Sequence, residues 1–119
     1  MLVWMRRLQA RFRGERLILM PDYYADPVWY WSSGWGASLE DLPISDEIRE
    51  QLRTWARWYE TLMDTGYEWS GPKERDAFER EGRRLWMALR AELRGHYRVG
   101  YFSETDGKRV WDPANLSRN

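Results

Sequence analysis

Two stretches of the chain repeat apolar residues every third or fourth position, and several shorter ones alternate or run continuously. In the stretch Pro72–Gly95, Phe78, Gly82, Leu85, Leu89 and Leu93 share one helical face, with Trp86 on its flank. Gly71 suits the N-cap and Pro72 the first helical position, where the missing N–H has no acceptor to lose. Glu74 meets the positive end of the helix, Arg90 and Arg94 sit near its negative end, and Gly95 suits the left-handed residue that ends it. A helix over Pro72–Arg94 follows. Gly82 inside it points to close packing against a sheet or the other helix, because glycine costs about 1 kcal/mol in a helix relative to alanine. The exposed side, with Glu79, Arg80, Glu81, Arg83 and Arg84, reads as an ordinary solvated face.

The other periodic stretch, Ser45–Met63, places Ile48, Leu52, Trp55, Ala56, Tyr59 and Leu62 on one face, with Ser45 as N-cap and Asp46 and Glu47 at the positive end. Trp58 and Met63 widen the stripe, so this helix is expected to touch two surfaces. Tyr67-Glu68-Trp69 is a linker short enough to keep the helices adjacent. Around them the pattern is that of strands. Arg16–Met20 is a continuous apolar run that suits a central strand, stopped by Pro21. Val28–Trp31 suits a short edge strand. Tyr97–Phe102 alternates, and Asp106-Gly107 between it and Val110-Trp111 signals a hairpin with a last strand over Lys108–Trp111. Ser38 and Asp41 suggest a small capped turn before Pro43. The pattern predicts an α+β domain: a small, mostly antiparallel sheet of three or four strands with two helices on one face.

Length is consistent with one domain, here residues 14–114, preceded by a basic arm or short helix (1–13) and followed by a loose tail (115–119). Leu2, Met5, Leu8 and Phe12 would line one face of the arm, and its arginines interrupt any signal-peptide core. No apolar run is long enough to span a membrane, and a cytoplasmic bacterial protein is expected. Absence of cysteine removes disulfides and thiolate chemistry, and the single histidine, His96, removes multi-histidine metal sites. His96 follows the helix-ending glycine and reads as a capping or surface residue. Dinucleotide, P-loop and serine-triad patterns are missing. The sequence therefore predicts no cofactor, no metal and no catalytic residue.

Charge is balanced in total, 19 basic against 19 acidic residues, but unevenly placed. The first twenty residues are rich in arginine, whereas residues 21–50 are acidic. These segments could attract each other, or the acidic one could face a basic partner. The most unusual segment is the aromatic, acidic loop with Asp22, Tyr23, Tyr24, Asp26, Trp29, Tyr30, Trp31 and Trp35. Tyrosine and tryptophan dominate the buried centres of interfaces, and carboxylates orient a partner. These eight residues form the candidate interaction surface; the plainer reading is that their rings fill the core, and a further one is that they line a pocket for a small or cationic ligand. Asp22 and Asp26 could also act as paired carboxylates in an aromatic cleft, or each could cap a turn.

Leu19-Met20-Pro21-Asp22-Tyr23 with Pro27, Leu42-Pro43-Ile44-Ser45, a helix bearing Trp55 and Tyr59, and then Tyr67-Glu68-Trp69, Phe78, Gly82 and Leu85 resemble a group of small uncharacterised actinobacterial proteins over about residues 16–102. The resemblance implies no activity and no site residues, and it sets Met1–Arg13 outside the common domain. The expected function is a non-enzymatic interaction or immunity-like accessory protein that occludes a protein partner of unknown identity, with a homodimer as a further option. The alternatives are a small enzyme or ligand-binding domain built on Asp22 and Asp26, and a nucleic-acid or membrane accessory using the basic arm. Balanced charge weighs against nucleic acid.

Overall fold

The structure, a computed structural model, describes residues 15–116. The basic arm and residues 117–119 lie outside the described residues. Four strands form one sheet: β1 (Arg16–Leu19), β2 (Val28–Tyr30), β3 (Arg98–Ser103) and β4 (Lys108–Val110), in the order β2-β1-β3-β4. β1 pairs antiparallel with β2 and β3 antiparallel with β4, but the central β1–β3 pair is parallel, with Leu17 opposite Val99 and Leu19 opposite Tyr101. A parallel pair needs a long crossover. Helices α1 (Asp46–Glu60) and α2 (Pro72–Glu92) supply it.

The period of two divides each strand cleanly. Leu17, Leu19, Val28, Val99, Tyr101 and Val110 join the main core with Leu52, Trp55, Phe78, Leu85, Trp86, Leu89 and Leu93 from the helices and the turn after α2. Burying each of these large apolar side chains is worth roughly 1.5–3 kcal/mol relative to leaving it exposed. The alternate strand positions, Arg16, Ile18, Trp29, Arg98, Gly100, Phe102 and Arg109, point to the other side of the sheet. Both helices thus cover one face, as the pattern required.

Local signals explain the helix ends. The Ser45 hydroxyl accepts from the Ile48 N–H at 3.2 Å, and Glu92 accepts from the Ser45 N–H and hydroxyl, so the end of α2 clamps the start of α1. Arg49 donates to the carbonyls of Leu39, Leu42 and Ile44, pinning the preceding loop to α1. α1 is shorter than its periodicity suggested, because its last turn tightens into a 3-10 helix, Thr61–Thr65. α2 starts at Pro72 with Gly71 as cap and ends at Glu92. Gly95 follows with φ of 86°, while the N–H groups of His96 and Tyr97 both bond the Leu93 carbonyl. Glu74 reaches back to the Ser70 N–H at 3.0 Å rather than to the cap residue itself. Ser38 makes no side-chain cap; its place before the 3-10 turn Leu39–Asp41 is taken by Asp26.

The contact between α2 and the sheet corrects one expectation. Glu79 does not belong to a solvated face: it is 5% exposed. Its carboxylate accepts from the Tyr101 hydroxyl, from the Ser103 hydroxyl at 2.6 Å and from the Thr105 N–H at 3.1 Å, with Arg83 at 4.0 Å. A buried carboxylate persists only when its lone pairs are filled in this way. Burial, followed by the neighbouring Glu79 charge, pushes the Tyr101 hydroxyl far above the ordinary tyrosine range. Gly82, one turn on, makes the approach possible. A Cβ there would stand 2.5 Å from the Tyr101 hydroxyl oxygen and 2.7 Å from the Trp55 ring. The glycine is therefore in contact with both sheet and companion helix.

Gly82→Ala is expected to destabilise the fold by about 1–3 kcal/mol through overpacking, more than the roughly 1 kcal/mol alanine gains in helix propensity. The midpoint of urea unfolding measures the difference; an unchanged or higher midpoint contradicts the packing.

Candidate functional site

The candidate surface predicted from sequence separates into two places. Its first part lies where the turn after β1 meets the far end of α1. Tyr23 stacks on Tyr59 with ring centroids 4.9 Å apart and meets the edge of Tyr67 at 5.4 Å. Tyr59 in turn contacts Phe78 and Trp69, and Phe78 contacts Trp55 and Trp58. The outer tyrosines are thereby rooted in the core through Phe78, which is fully buried.

Tyr67 closes this cluster against Tyr23, and Tyr24 is the next residue along the turn. Tyr24 and Tyr67 are 82% and 64% exposed. Among the described residues they are the only non-glycine residues with positive φ, at 56° and 65°. For an L-residue the left-handed conformation costs roughly 1–2 kcal/mol, and bulky side chains adopt it rarely. Two carboxylates hold the first of these turns: Asp22 accepts from the Tyr23 N–H at 2.7 Å and Glu60 from the Tyr24 N–H at 3.1 Å. For Tyr67, its own N–H bonds the Leu62 carbonyl at 2.7 Å.

Negative charge surrounds the inner rings. Burial first, then Glu104, Tyr23 and Asp22, pushes the Tyr59 hydroxyl well above its ordinary range. Glu104 itself is half-buried, and burial followed by the nearby Glu79 raises its pKa. The site is thus an exposed pair of tyrosines on an aromatic base, rimmed by Asp22, Glu60 and Glu104. Among the described residues no group of three or more His, Cys, Asp or Glu could hold a metal ion.

A model of the Serratia CdiI immunity protein-like family matches residues 15–104. The chain belongs to that family. The finding overturns the actinobacterial resemblance. Several residues that carried it, Leu19, Leu42, Ile44, Trp55, Phe78 and Leu85, are buried, and Gly82 sits at the helix contact. Such positions report the packing of a fold rather than a lineage. The family match begins beside β1 and leaves Met1–Arg13 outside it. No curated protein matches the chain. Among the described residues no helix is long and apolar enough to cross a membrane.

Within this family member the other predicted residues take different places. Asp26 accepts from the Leu39 N–H at 3.0 Å and so caps the 3-10 turn. With Asp22 on the Tyr23 N–H, both carboxylates serve backbone turns, the structural use open to them in the sequence. Neither lines the cleft of about 380 Å³ beside Arg90, Arg94 and Tyr97, nor the one of about 440 Å³ between the helices beside Trp55 and Trp58. Tyr30 packs against the core from β2. Its hydroxyl lies by that of Tyr97, which burial first and Tyr30 second push up to about 12. Trp29 donates from Nε1 to the Met20 carbonyl at 2.9 Å, and Trp31 lies against Arg16 and Arg109 on the face of the sheet opposite α1 and α2. Trp35, 76% exposed, stands at the turn after β2.

The basic half of the charge asymmetry lies mostly outside the described residues, while acids of its other half find partners nearby. Glu40 and Glu50 pair with Arg53, Asp46 pairs with Arg49, and Glu47 accepts from Gln51. Sequence reasoning missed Tyr59, Glu60, Tyr67 and Glu104 as members of the site. The adjacent Gly66-Tyr67 was a usable signal, since a helix-ending glycine followed by a tyrosine fixes where that ring emerges.

Two outcomes are expected. Tyr24→Gly relieves the left-handed backbone but frees the unfolded chain at a cost of about 0.5–1 kcal/mol, so its melting temperature should equal or exceed that of the wild type, whereas Tyr24→Val should melt lower. A clear loss in Tyr24→Gly contradicts the conformation. For Glu104, the folded pKa lies above the ordinary 4.5, so the native state binds the extra proton and wild-type stability falls as pH rises through that window. Glu104→Gln should match the wild type below about pH 4.5 and become progressively more stable than it toward neutrality, as followed by chemical unfolding at several pH values.

Proposed function

We propose that the chain is a non-enzymatic immunity protein that binds a toxic protein partner in the cytoplasm and blocks it sterically, using the tyrosine surface around Tyr23, Tyr24 and Tyr67. Membership of an immunity protein-like family supports the class. The observation that carries the surface is the pair of exposed tyrosines held in left-handed backbone. Backbone strain of this kind, about 1–3 kcal/mol per residue, persists where the surroundings over-determine it and concentrates at ligand clamps. Two tyrosines offer large rigid contact area with little side-chain entropy to lose. Asp22, Glu60 and Glu104 add a negative rim that favours a basic partner and its rapid capture.

Steric occlusion requires no reacting group on this chain. The rival reading, an enzyme built on Asp22 and Asp26, loses its support because both carboxylates are engaged with backbone N–H groups.

The test is affinity capture from native lysate, comparing wild type with Tyr24→Ala plus Tyr67→Ala. A stoichiometric partner held by the wild type and reduced at least about tenfold in affinity for the folded double variant is expected, since interface tyrosines commonly contribute more than 1 kcal/mol each. Equal retention of the same partner by both proteins contradicts the proposed surface.

A further inference from the structure

The sheet face opposite α1 and α2 carries an ordered arrangement of arginines and tryptophans. Arg16 lies opposite Arg98 in the parallel register, and Arg109 lies across from Phe102. Their guanidinium groups stack on two indoles. Arg16 lies 5.6 Å from the Trp31 ring centre and 5.4 Å from that of Trp111; Arg98 lies 5.5 Å from Trp111, and Arg109 4.8 Å from Trp31. The two indoles meet edge to face at 5.4 Å. Gly100 is the floor of this arrangement, for a Cβ there would stand 2.6 Å from the Trp111 ring. Trp111 therefore lies flat on the sheet because the strand presents no side chain beneath it.

Among the described residues none of these three guanidinium groups pairs with a carboxylate, and each is held by ring contacts instead. Glu15, the nearest acid in sequence, accepts from the Ser32 hydroxyl at 3.0 Å. Cation–π stacking fixes the planar fork of an arginine while leaving its N–H donors available, and that fork matches a carboxylate through two parallel hydrogen bonds. We propose that this face, with Arg98 and Arg109 exposed on it, is a second docking surface, one that takes an acidic segment of a protein partner.

Charge complementarity selects this occupant. Residues 1–14 of the same chain contain four arginines and no acid, so they offer this face no opposite charge. The acids of residues 21–50 in a second copy are already engaged: Asp22 and Asp26 with backbone, Glu40, Asp46 and Glu50 with arginines, Glu47 with Gln51, and Asp41 with a partner of its own. Single-stranded nucleic acid would need free ring faces for its bases, and here guanidinium groups occupy them. Tryptophan with arginine is also the composition of interface hot spots. The proposal is independent of the immunity reading, since it concerns another face and a different partner charge.

The test is a titration of the full chain, labelled with nitrogen-15, followed through the indole N–H resonances. The probes are a Glu-Ser repeat peptide, its Gln-Ser counterpart and an oligouridine of equal length. The expected result is saturable movement of the Trp31 and Trp111 resonances with the Glu-Ser peptide alone. Arg98→Gln plus Arg109→Gln, both exposed positions, should weaken that binding at least about tenfold, a change equivalent to losing one charge-assisted pair. The proposal is overturned if the Glu-Ser peptide leaves these indoles unmoved, if the double variant binds it equally, or if oligouridine binds more tightly. It is also overturned if the free protein buries the two indoles against residues 1–14 or in a dimer, seen as contacts in the same spectra.

Discussion

Everything in the arrangement depends on how closely α2 approaches the sheet at Gly82. The missing side chain lets Tyr101 from β3 and Trp55 from α1 reach the helix axis together. That contact sets the position of Glu79 one turn earlier, where Tyr101, Ser103 and Thr105 fill its carboxylate. A buried carboxylate is unforgiving: each acceptor site left without a donor costs about 1–3 kcal/mol or more. The polar cluster therefore fixes the register of helix against strand, while the surrounding leucines, Trp86 and Phe78 supply most of the favourable burial. Trp86 adds a directional bond from Nε1 to the Val99 carbonyl at 2.9 Å.

From that junction the consequences run outward to the surface. Phe78, one residue before Glu79, is the ring on which Tyr59 and Trp69 lean, and Tyr59 supports Tyr23. Glu104, in the turn after β3, brings its charge toward both Tyr59 and Glu79. The exposed tyrosines are thus not loop decoration. Tyr67 stands, through Tyr23 and Tyr59, on a chain of ring contacts that ends at Phe78, beside the place where the helix is locked to the sheet, and Tyr24 adjoins Tyr23 in the chain. Rigidity at the base allows two residues to be held in an unfavourable backbone conformation at the tip. On the opposite side of β3, Gly100 performs for Trp111 what Gly82 performs for Tyr101: absence of a side chain admits a ring.

The helices were legible in the sequence because their ends are written in local chemistry: Ser45, Gly71-Pro72 and Gly95 act within a turn of where they stand. β1 was legible for a related reason, a short apolar run buried on both faces. The parallel pairing of β1 with β3 was not, since nothing local in Leu17 or Val99 names a partner some eighty residues away. Glu79 was misread because charged neighbours on a helix look alike until the sheet shows which one turns inward. The aromatic loop was recognised as unusual, but its residues divide by the period-two alternation of β2 and by a turn no propensity predicts. Tyr24 carries a side chain that ordinarily avoids positive φ and follows no glycine, so only the folded backbone discloses it.

On the proposed function, this immunity-family chain meets its partner at the tyrosine surface. The most direct measurement is hydrogen–deuterium exchange of the chain with and without the captured partner, resolved to short peptides. Slowed exchange is expected in the segments containing Tyr23-Tyr24 and Gly66-Tyr67. Unchanged exchange in both segments, in a complex that nonetheless forms, would contradict it.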